Sequence, residues 1–181
     1  MNIQSEKILL SNREIIETID DLSERLFQDI TQPQKRVVVG IRRGGAMVAR
    51  LLRERLNQRL GIEIPIGFLD ISFYRDDHKT VASNPLIGAT DLTMNIDDKR
   101  IILVDDVLFT GRTIRAALNA LFDYGRPEIV DLVVLADRGG RQLPVQPDYS
   151  GLNVEAGPME SIKLIDEKES GLILVRRQLR D

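Results

Sequence analysis

Residues 101–113, Ile-Ile-Leu-Val-Asp-Asp-Val-Leu-Phe-Thr-Gly-Arg-Thr, decide the fold of this chain. The four apolar residues at the start are typical of a strand that is buried on both faces of a parallel sheet. We expect this strand to be short and to place Asp105 and Asp106, the acidic pair, at its C-terminal end, where open α/β sheets bind their ligands. Apolar residues then recur with helical spacing over 114–122 and predict a helix.

The turn at 110–113, Thr-Gly-Arg-Thr, connects the predicted strand to the predicted helix, and we call it the phosphate turn. Backbone N–H groups at the start of a helix lack intrahelical partners, and the helix dipole adds partial positive charge. Gly111 permits the close approach of an anion, and the two threonines add hydroxyl donors. Because the acidic pair would repel a phosphate, we expect it to face hydroxyl groups or a cation. A ribose 5-phosphate satisfies both halves of the motif.

A second stretch has the same order of strand, loop and helix. Residues 36–41, Arg-Val-Val-Val-Gly-Ile, predict a buried strand, and the apolar residues between 46 and 56 predict a helix. The loop between them, 42–45, reads Arg-Arg-Gly-Gly, and we call it the arginine loop. Taken alone, its charges are typical of a solvent-facing loop. Together with the phosphate turn, its exposed amides and two cationic side chains predict a second anion site.

The remaining periodicity predicts one further helix and five further strands. The helix begins at a capping box formed by Ser11 and Glu14 and continues to about Ile30. Residues 74–90 are mostly polar, and a connection of this length is usually a lid, a binding loop or a hairpin extension. No long helix is expected after Pro144. The predicted strands are 64–73, 91–95, 129–136, 162–165 and 172–176.

Length and composition limit the classes of function. The 181 residues predict one domain spanning 1–181, and the absence of cysteine excludes disulfides and thiol catalysis. Twenty-five basic and 28 acidic residues give a net charge of −3, so a nucleic-acid site would have to be a local patch. Without a signal-peptide core or an apolar run of membrane-spanning length, the sequence predicts a cytoplasmic protein that does not bind membranes.

With this context, the 101–113 stretch resembles the motif with which type I phosphoribosyltransferases bind phosphoribosyl pyrophosphate (PRPP). The resemblance narrows to the bifunctional regulators of pyr operons that are also uracil phosphoribosyltransferases, through 73–77 (Phe-Tyr-Arg-Asp-Asp), 124–127 (Tyr-Gly-Arg-Pro) and 137–139 (Asp-Arg-Gly). It extends from about Lys7 to Leu174. It implies the α/β type I phosphoribosyltransferase fold, a central, mostly parallel sheet flanked by helices, with a small cap (hood) and a flexible loop.

The resemblance implies a reaction in which uracil displaces pyrophosphate from C1 of PRPP and gives uridine monophosphate (UMP). It also implies Mg²⁺ as the cofactor, held mainly by PRPP and water, with the acidic pair as its candidate protein ligands. A homodimer or homotetramer is expected on the same basis. Purine-specific relatives tend to carry an acid just before the Thr-Gly of the phosphate turn, whereas this chain has Phe109, which favours a pyrimidine base.

Roles follow from the resemblance for four groups of residues. The catalytic group is Arg42, Arg43, Asp105 and Asp106. The PRPP-binding group is Ile41, Arg42, Arg43, Gly44, Asp105, Asp106, Val107, Leu108, Phe109, Thr110, Gly111, Arg112 and Thr113. The base-binding group is Asp137, Arg138, Met159 and Glu160. The flexible loop contributes Arg75 and Lys79.

The resembled regulators also bind the mRNA leader of pyr genes in response to uridine nucleotides. The resemblance connects several residues with RNA binding, and this chain keeps two of them, Thr18 and Arg141. For Arg141 the alternative is a local ion pair in a surface turn. Gly140, Gln146 and Leu22 replace basic residues or histidines of RNA-binding members, which weakens the prediction of RNA binding. Two alternatives to uracil salvage therefore stay open: an RNA-binding attenuator with vestigial catalysis, and a phosphoribosyltransferase of another base.

Overall fold

The computed structural model describes residues 3–72, 74 and 90–180. Within them, none of the helices is long and apolar enough to cross a membrane. The elements in chain order are β1 (Ile3–Leu10), α1 (Asn12–Asp29), β2 (Arg36–Ile41), α2 (Gly44–Leu60), β3 (Ile66–Leu69), β4 (Arg100–Leu108), α3 (Arg112–Phe122), β5 (Ile129–Asp137), β6 (Tyr149–Asn153), β7 (Glu160–Glu167) and β8 (Gly171–Leu179).

The central layer is a parallel sheet with the strand order β3-β2-β4-β5-β6. Successive residues of a strand point to opposite faces, so a continuous apolar run such as 101–104 fills two cores at once. Ile102 and Val104 pack with α1 and α2 on one face, while Ile101 and Leu103 pack with α3 on the other. The sheet is therefore covered by helices on both faces, as the sequence predicts.

A second sheet is antiparallel and has the order β1-β8-β7. We call it the hood sheet. An ion pair between Glu6 and Arg177 links β1 to β8, and the buried side chains of Ile162 and Leu174 join the core that α1 and α2 share with the parallel sheet. β7 consequently stands beside the parallel sheet and can form one wall of a site.

Three strand predictions need correction. β4 runs to Leu108 and is not a short strand ending before the acidic pair, because its backbone continues to pair with β5 through Asp105 and Val107. The strand predicted at 64–73 contains only Ile66–Leu69. The strand predicted at 91–95 is wrong: Asp91 makes an isolated bridge to Phe68 and no ladder follows. β1 and β6 have no counterpart among the predicted strands.

Tyr149, the first residue of β6, connects β6 to α1. Its hydroxyl donates to Oδ2 of Asp29 at 2.6 Å, and the guanidinium carbon of Arg25 lies 5.8 Å from the ring centroid. Burial, the hydrogen bond to Asp29, and the negative charges of Asp29 and Asp131 raise the pKa of Tyr149 from 10.0 to about 12. The folded protein thus favours the neutral phenol.

This pKa predicts an alkaline loss of stability that depends on Tyr149. A raised folded pKa stabilises the native state below the unfolded value of 10.0, and this contribution is lost as the pH rises toward about 12. Between about pH 9 and pH 12, the free energy of unfolding should fall more steeply in the wild type than in Tyr149→Phe. Urea titrations at a series of pH values measure this, and equal slopes for the two proteins would contradict it.

Candidate active site

A pocket of about 770 Å³ lies between the C-terminal ends of the parallel strands and the hood sheet. This is the edge at which open parallel sheets bind ligands. The residues of the sequence-predicted site that line it are Arg42, Arg43, Gly44, Asp105, Asp106, Val107, Phe109, Thr113, Arg138 and Glu160. The other lining residues are Asp70, Ile71, Ser72, Pro158, Ser161, Ile162, Lys163, Leu164 and Leu179.

The acidic pair and the arginine loop are in direct contact. Asp105 is only 4% exposed, and its Oδ1 accepts the backbone N–H of Asp106 at 3.0 Å. A Cβ added to Gly44 would lie 2.4 Å from Cγ of Asp106, and one added to Gly45 would lie 2.5 Å from the carbonyl oxygen of Val104. Only glycine at these positions lets the loop lie against β4, so the sequence brings two arginines and two carboxylates into one site.

The two arginines of this loop differ in their surroundings. The guanidinium carbon of Arg42 lies 5.6 Å from the ring centroid of Phe68, and that of Arg50 lies 4.3 Å from the same centroid. Nε of Arg42 is buried and has no hydrogen-bond partner among the described residues. Arg43 is exposed, and the Arg42–Arg43 peptide bond is cis. The loop therefore offers one partly buried and one open cation to a ligand.

The phosphate turn is fixed by its own hydrogen bonds and by the chain that follows β5. Gly111 has φ +89° and caps α3, and Oγ1 of Thr110 accepts the N–H of Arg112 at 3.3 Å. The carbonyl oxygen of Thr110 accepts the N–H groups of Gln142 and Leu143 at 3.0 and 3.1 Å. Of the four residues of this turn, only Thr113 lines the pocket.

Arg138 lines the pocket from the position directly after β5. Its guanidinium carbon lies 3.7 Å from the ring centroid of Phe109, and Nη2 donates to the carbonyl oxygen of Gly157 at 3.3 Å. Burial lowers the pKa of Arg138, and the charge of Glu160 acts in the opposite direction. Oε2 of Glu160 accepts the N–H of Gly157 at 2.7 Å. These contacts fasten the chain before β7 to the end of β5.

Several predicted site residues lie behind the pocket surface. Ile41 and Leu108 are core residues, and the carbonyl oxygen of Met159 accepts the N–H of Leu179 at 2.8 Å. Asp137 is paired with Arg141. The members of the predicted site that do not line the pocket are Ile41, Leu108, Thr110, Gly111, Arg112, Asp137 and Met159. Arg75 and Lys79 lie outside the described residues.

Arg141 is engaged inside the protein. Its Nη2 contacts Oδ2 of Asp137 at 2.5 Å, and its Nε donates to the carbonyl oxygen of Val145 at 2.8 Å. Nη1 donates to the carbonyl oxygen of Phe109 at 2.9 Å. Burial acts to raise the pKa of Asp137, but hydrogen bonds from Arg141 and Gly139 outweigh it and hold this pKa below its usual value. Arg141 therefore forms a local ion pair, with Asp137, which is the alternative to an RNA-binding role.

Of the other residues connected with RNA, Thr18 and Leu22 lie on α1, and Gly140 and Gln146 lie in the connection between β5 and β6. Oγ1 of Thr18 donates to the carbonyl oxygen of Glu14 at 2.7 Å, and Leu22 is fully buried. Gln146 and Gly140 are exposed. Along the exposed sides of α1 and α2, cations are matched by neighbouring carboxylates, through the pairs Arg25–Asp21, Arg55–Asp20 and Arg59–Glu24.

Sequence reasoning missed two groups of pocket residues. Asp70 and Ser72 directly follow β3, so the rule that ligands bind at the C-terminal ends of parallel strands could have found them. Oδ1 of Asp70 accepts both the N–H and the hydroxyl of Ser72, at 2.9 and 2.5 Å. Ser161 and Lys163 come from the hood sheet, where no local signal in the sequence shows which side chains face the pocket.

Comparison with known proteins identifies the family. A model of the phosphoribosyl transferase domain matches residues 5–164. A bifunctional protein PyrR of Haemophilus influenzae (strain PittEE) is 43% identical over 169 residues, which cover 92% of this chain and 94% of that protein. This chain belongs to the phosphoribosyltransferase family. A bifunctional protein PyrR of Deinococcus radiodurans is 40% identical over 167 residues, covering 92% and 91% of the two chains.

Solved structures show the same fold in other phosphoribosyltransferases. A hypoxanthine-guanine phosphoribosyltransferase of Bacillus anthracis superposes with a TM-score of 0.70 at 21% identity, covering 99% of this chain and 100% of that one. A hypoxanthine phosphoribosyltransferase of Trypanosoma cruzi gives 0.69 at 21% identity and covers 95% and 97%. These comparisons confirm three expectations from the sequence: the family, the enzyme class and the type I fold.

Proposed function

We propose that the protein transfers the phosphoribosyl group of PRPP to uracil and produces UMP and pyrophosphate. One observation carries this proposal. A single pocket brings together the arginine loop, the acidic pair, the end of the phosphate turn and the Arg138–Phe109 stack, at a size suited to a small ligand. Each of these parts matches one part of the two substrates: the pyrophosphate, the ribose, the 5-phosphate and the base.

The phosphate turn and the acidic pair hold the sugar. The amides at the start of α3 and the hydroxyl of Thr113 bind the 5-phosphate, and the carboxylates accept hydrogen bonds from the ribose hydroxyls. Neither contact touches C1, where the bonds change. Their binding energy is used to fix C1 between the leaving group and the base.

The arginine loop stabilises the leaving group. As the bond from C1 to the pyrophosphate oxygen breaks, negative charge grows on pyrophosphate and positive charge grows on the sugar. Arg42 and Arg43 stand on the side that becomes negative, and the acidic pair stands beside the sugar that becomes positive. Fixed charges in such an arrangement favour the transition state over the ground state.

The pocket residues could supply part of the coordination shell of a magnesium ion. The acidic pair supplies two carboxylates at the pocket, and carboxylate oxygen is a ligand that Mg²⁺ prefers. Among residues 3–72, 74 and 90–180, no group of three or more acidic or histidine side chains is arranged to hold a metal. The acidic pair would therefore share the ion with substrate oxygens and water. When bound, magnesium supplies charge neutralisation at the pyrophosphate.

Phe109 supports a pyrimidine as the acceptor. Its ring lines the pocket and is 41% exposed, so it is available to a ligand and is not a core side chain. A phenyl ring cannot donate a proton to the imidazole nitrogen of a purine. Position 109, just before the phosphate turn, therefore supplies no acid that could protonate a purine during the transfer.

A panel of free bases tests the proposal. With PRPP and magnesium, pyrophosphate release is expected with uracil and not with hypoxanthine, guanine, cytosine or orotate. Turnover with a purine or with orotate would assign the protein to another base. If no base gave pyrophosphate release, the proposed catalytic activity would be refuted, and the pocket would be interpreted as a nucleotide sensor.

A second function, RNA-dependent regulation, is favoured by the bifunctional PyrR relatives. We propose it as an additional activity with UMP as effector and a pyr mRNA leader as partner. Arg141 already donates to carbonyl groups and to Asp137, so RNA contact through its guanidinium would require those bonds to be shared or broken. Salt-dependent binding of a leader hairpin, with and without UMP, tests it. The homodimer or homotetramer, the single domain and the cytoplasmic location stay predictions.

A further inference from the structure

The ring of Phe68 is buried without belonging to either hydrophobic core. Phe68 lies in β3 and is only 6% exposed, yet its side chain is not part of the clusters that pack on the two faces of the parallel sheet. Its backbone is fixed on both sides, by the parallel ladder in which Gly40 of β2 is its partner and by two hydrogen bonds with Asp91. The burial of the ring therefore has a source other than these two cores.

Two guanidinium groups lie over this ring. The guanidinium carbon of Arg50 lies 4.3 Å from the ring centroid and that of Arg42 lies 5.6 Å from it, both within the range of a cation–π contact. The two cations come from different elements, because Arg42 directly follows β2 and Arg50 belongs to α2. The ring thus connects the arginine loop to the helix that follows it.

These two cations differ from the other arginines of α2 in their partners. Each of the others forms an ion pair, through Arg53–Glu63, Arg55–Asp20 and Arg59–Glu24. Within the described residues, neither Arg42 nor Arg50 is paired with a carboxylate, and Nε of Arg42 is buried without a hydrogen-bond partner. An aromatic ring attracts a cation through its quadrupole and carries no net charge. The charge and the N–H donors of Arg42 therefore remain available at the pocket that it lines.

We infer that Phe68 is a positioning residue for the leaving-group end of the pocket, where it holds Arg42 toward the pyrophosphate without neutralising its charge. This deepens the proposed function and rests on it for the identity of the anion. Phe68 is not among the residues that line the pocket, so it acts through Arg42. Because the ring carries no negative charge, it does not compete with pyrophosphate oxygens for the N–H donors of Arg42. A cation held in place before the ligand arrives is the arrangement that favours a transition state with a negative leaving group.

Fluorination of the ring tests this electrostatic role with little change of shape. Pentafluorophenylalanine at position 68 keeps a six-membered aromatic ring but reverses the quadrupole that attracts a cation. Phe68→Leu removes the ring. Pentafluorophenylalanine at position 122 is the matched control, because the guanidinium carbon of Arg126 lies 5.8 Å from the centroid of the Phe122 ring, outside the pocket lining. The melting temperatures of the three variants, compared with the wild type, show whether each is folded.

The first measurement does not depend on a ligand. The Nε–H proton of Arg42, assigned by its disappearance in Arg42→Lys, should show a ring-current shift in the NMR spectrum of the wild type and of the variant fluorinated at position 122. The shift should be lost on fluorination at position 68, because the ring then no longer attracts the guanidinium. Its retention there would show that packing alone places Arg42, and would overturn the inference whether or not the protein uses PRPP.

The second measurement is the dissociation constant of PRPP, determined by calorimetry with magnesium and without a base. It should rise about fivefold or more in Phe68→Leu and on fluorination at position 68, and less than about twofold on fluorination at position 122. A lost ring-current shift with an unchanged dissociation constant would contradict the positioning role. A wild type that binds no PRPP would instead refute the proposed function, and the NMR comparison would still decide whether the ring holds Arg42.

Discussion

Replacing both residues of the acidic pair, in Asp105→Asn with Asp106→Asn, is expected to lower kcat/KM for pyrophosphate release by about 100-fold or more. Asparagine has the shape of aspartate and can still accept the Asp106 backbone N–H that Oδ1 of Asp105 accepts at 3.0 Å. The fold should therefore survive. What disappears is two negative charges beside a sugar that becomes positive, and a 100-fold loss corresponds to about 2.7 kcal/mol of transition-state stabilisation.

The control for this variant removes the same charge elsewhere. Asp166→Asn with Glu167→Gln neutralises two exposed carboxylates at the end of β7, outside the pocket lining. It should retain near wild-type kcat/KM, because screened surface charges act weakly over such separations. Equal losses in the two double variants would show that net charge, and not the position of the acidic pair, governs the rate.

The largest effect on stability is expected from Asp131→Ala. Arg36 begins β2, its side chain is only 4% exposed, and its ion-pair partner Asp131 is 23% exposed. Nε of Arg36 has no hydrogen-bond partner within the part of the chain that the structure describes. Removing Asp131 leaves a buried guanidinium without its counter-charge, which costs about 3–5 kcal/mol. Typical domains are stable by only about 5–15 kcal/mol, so this loss is a large part of the total free energy of unfolding. Unfolding in denaturant measures a loss of this size.

A double variant distinguishes the lost pair from lost packing. Arg36→Met with Asp131→Leu replaces both charges by apolar side chains, a change that is often neutral for a buried pair. Its urea midpoint should return close to that of the wild type, while the midpoint of Asp131→Ala alone falls. If the single variant unfolds at the wild-type midpoint, the guanidinium is solvated and the pair contributes little.

The parallel sheet could be predicted because its signal is local. Continuous apolar runs such as 36–41 and 101–104 fit strands buried on both faces, and each is followed by a helix with a clear apolar side. The capping box of Ser11 and Glu14 is present as predicted, since both of its hydrogen bonds lie within one turn. The arginine loop follows β2 and the acidic pair lies near the C-terminal end of the neighbouring β4, so both reach the same pocket.

The failed predictions concern partners distant in sequence. β1 is mostly exposed and its apolar residues are confined to Ile3 and the last three positions, so its strand state depends on pairing with β8. Residues 91–95 alternate as a strand would, yet Leu92 and Met94 pack onto the core beside α3 without a partner strand. The acidic pair ends the apolar run without ending β4, because carboxylates can continue a ladder where it opens onto a pocket. Which residues of β7 line that pocket depends on how two sheets pack, and no local pattern encodes it.

The hood sheet has a consequence for the order in which the molecule assembles. Its ion pair joins Glu6 to Arg177, 171 positions apart in sequence. Contacts at such separation are entropically costly to close and tend to form late. During synthesis, β2 and β4 can pair before β8 has left the ribosome, so the arginine loop and the phosphate turn can form before the hood sheet closes the opposite wall of the pocket. A nascent chain is therefore expected to acquire affinity for phosphates first and selectivity for the base last.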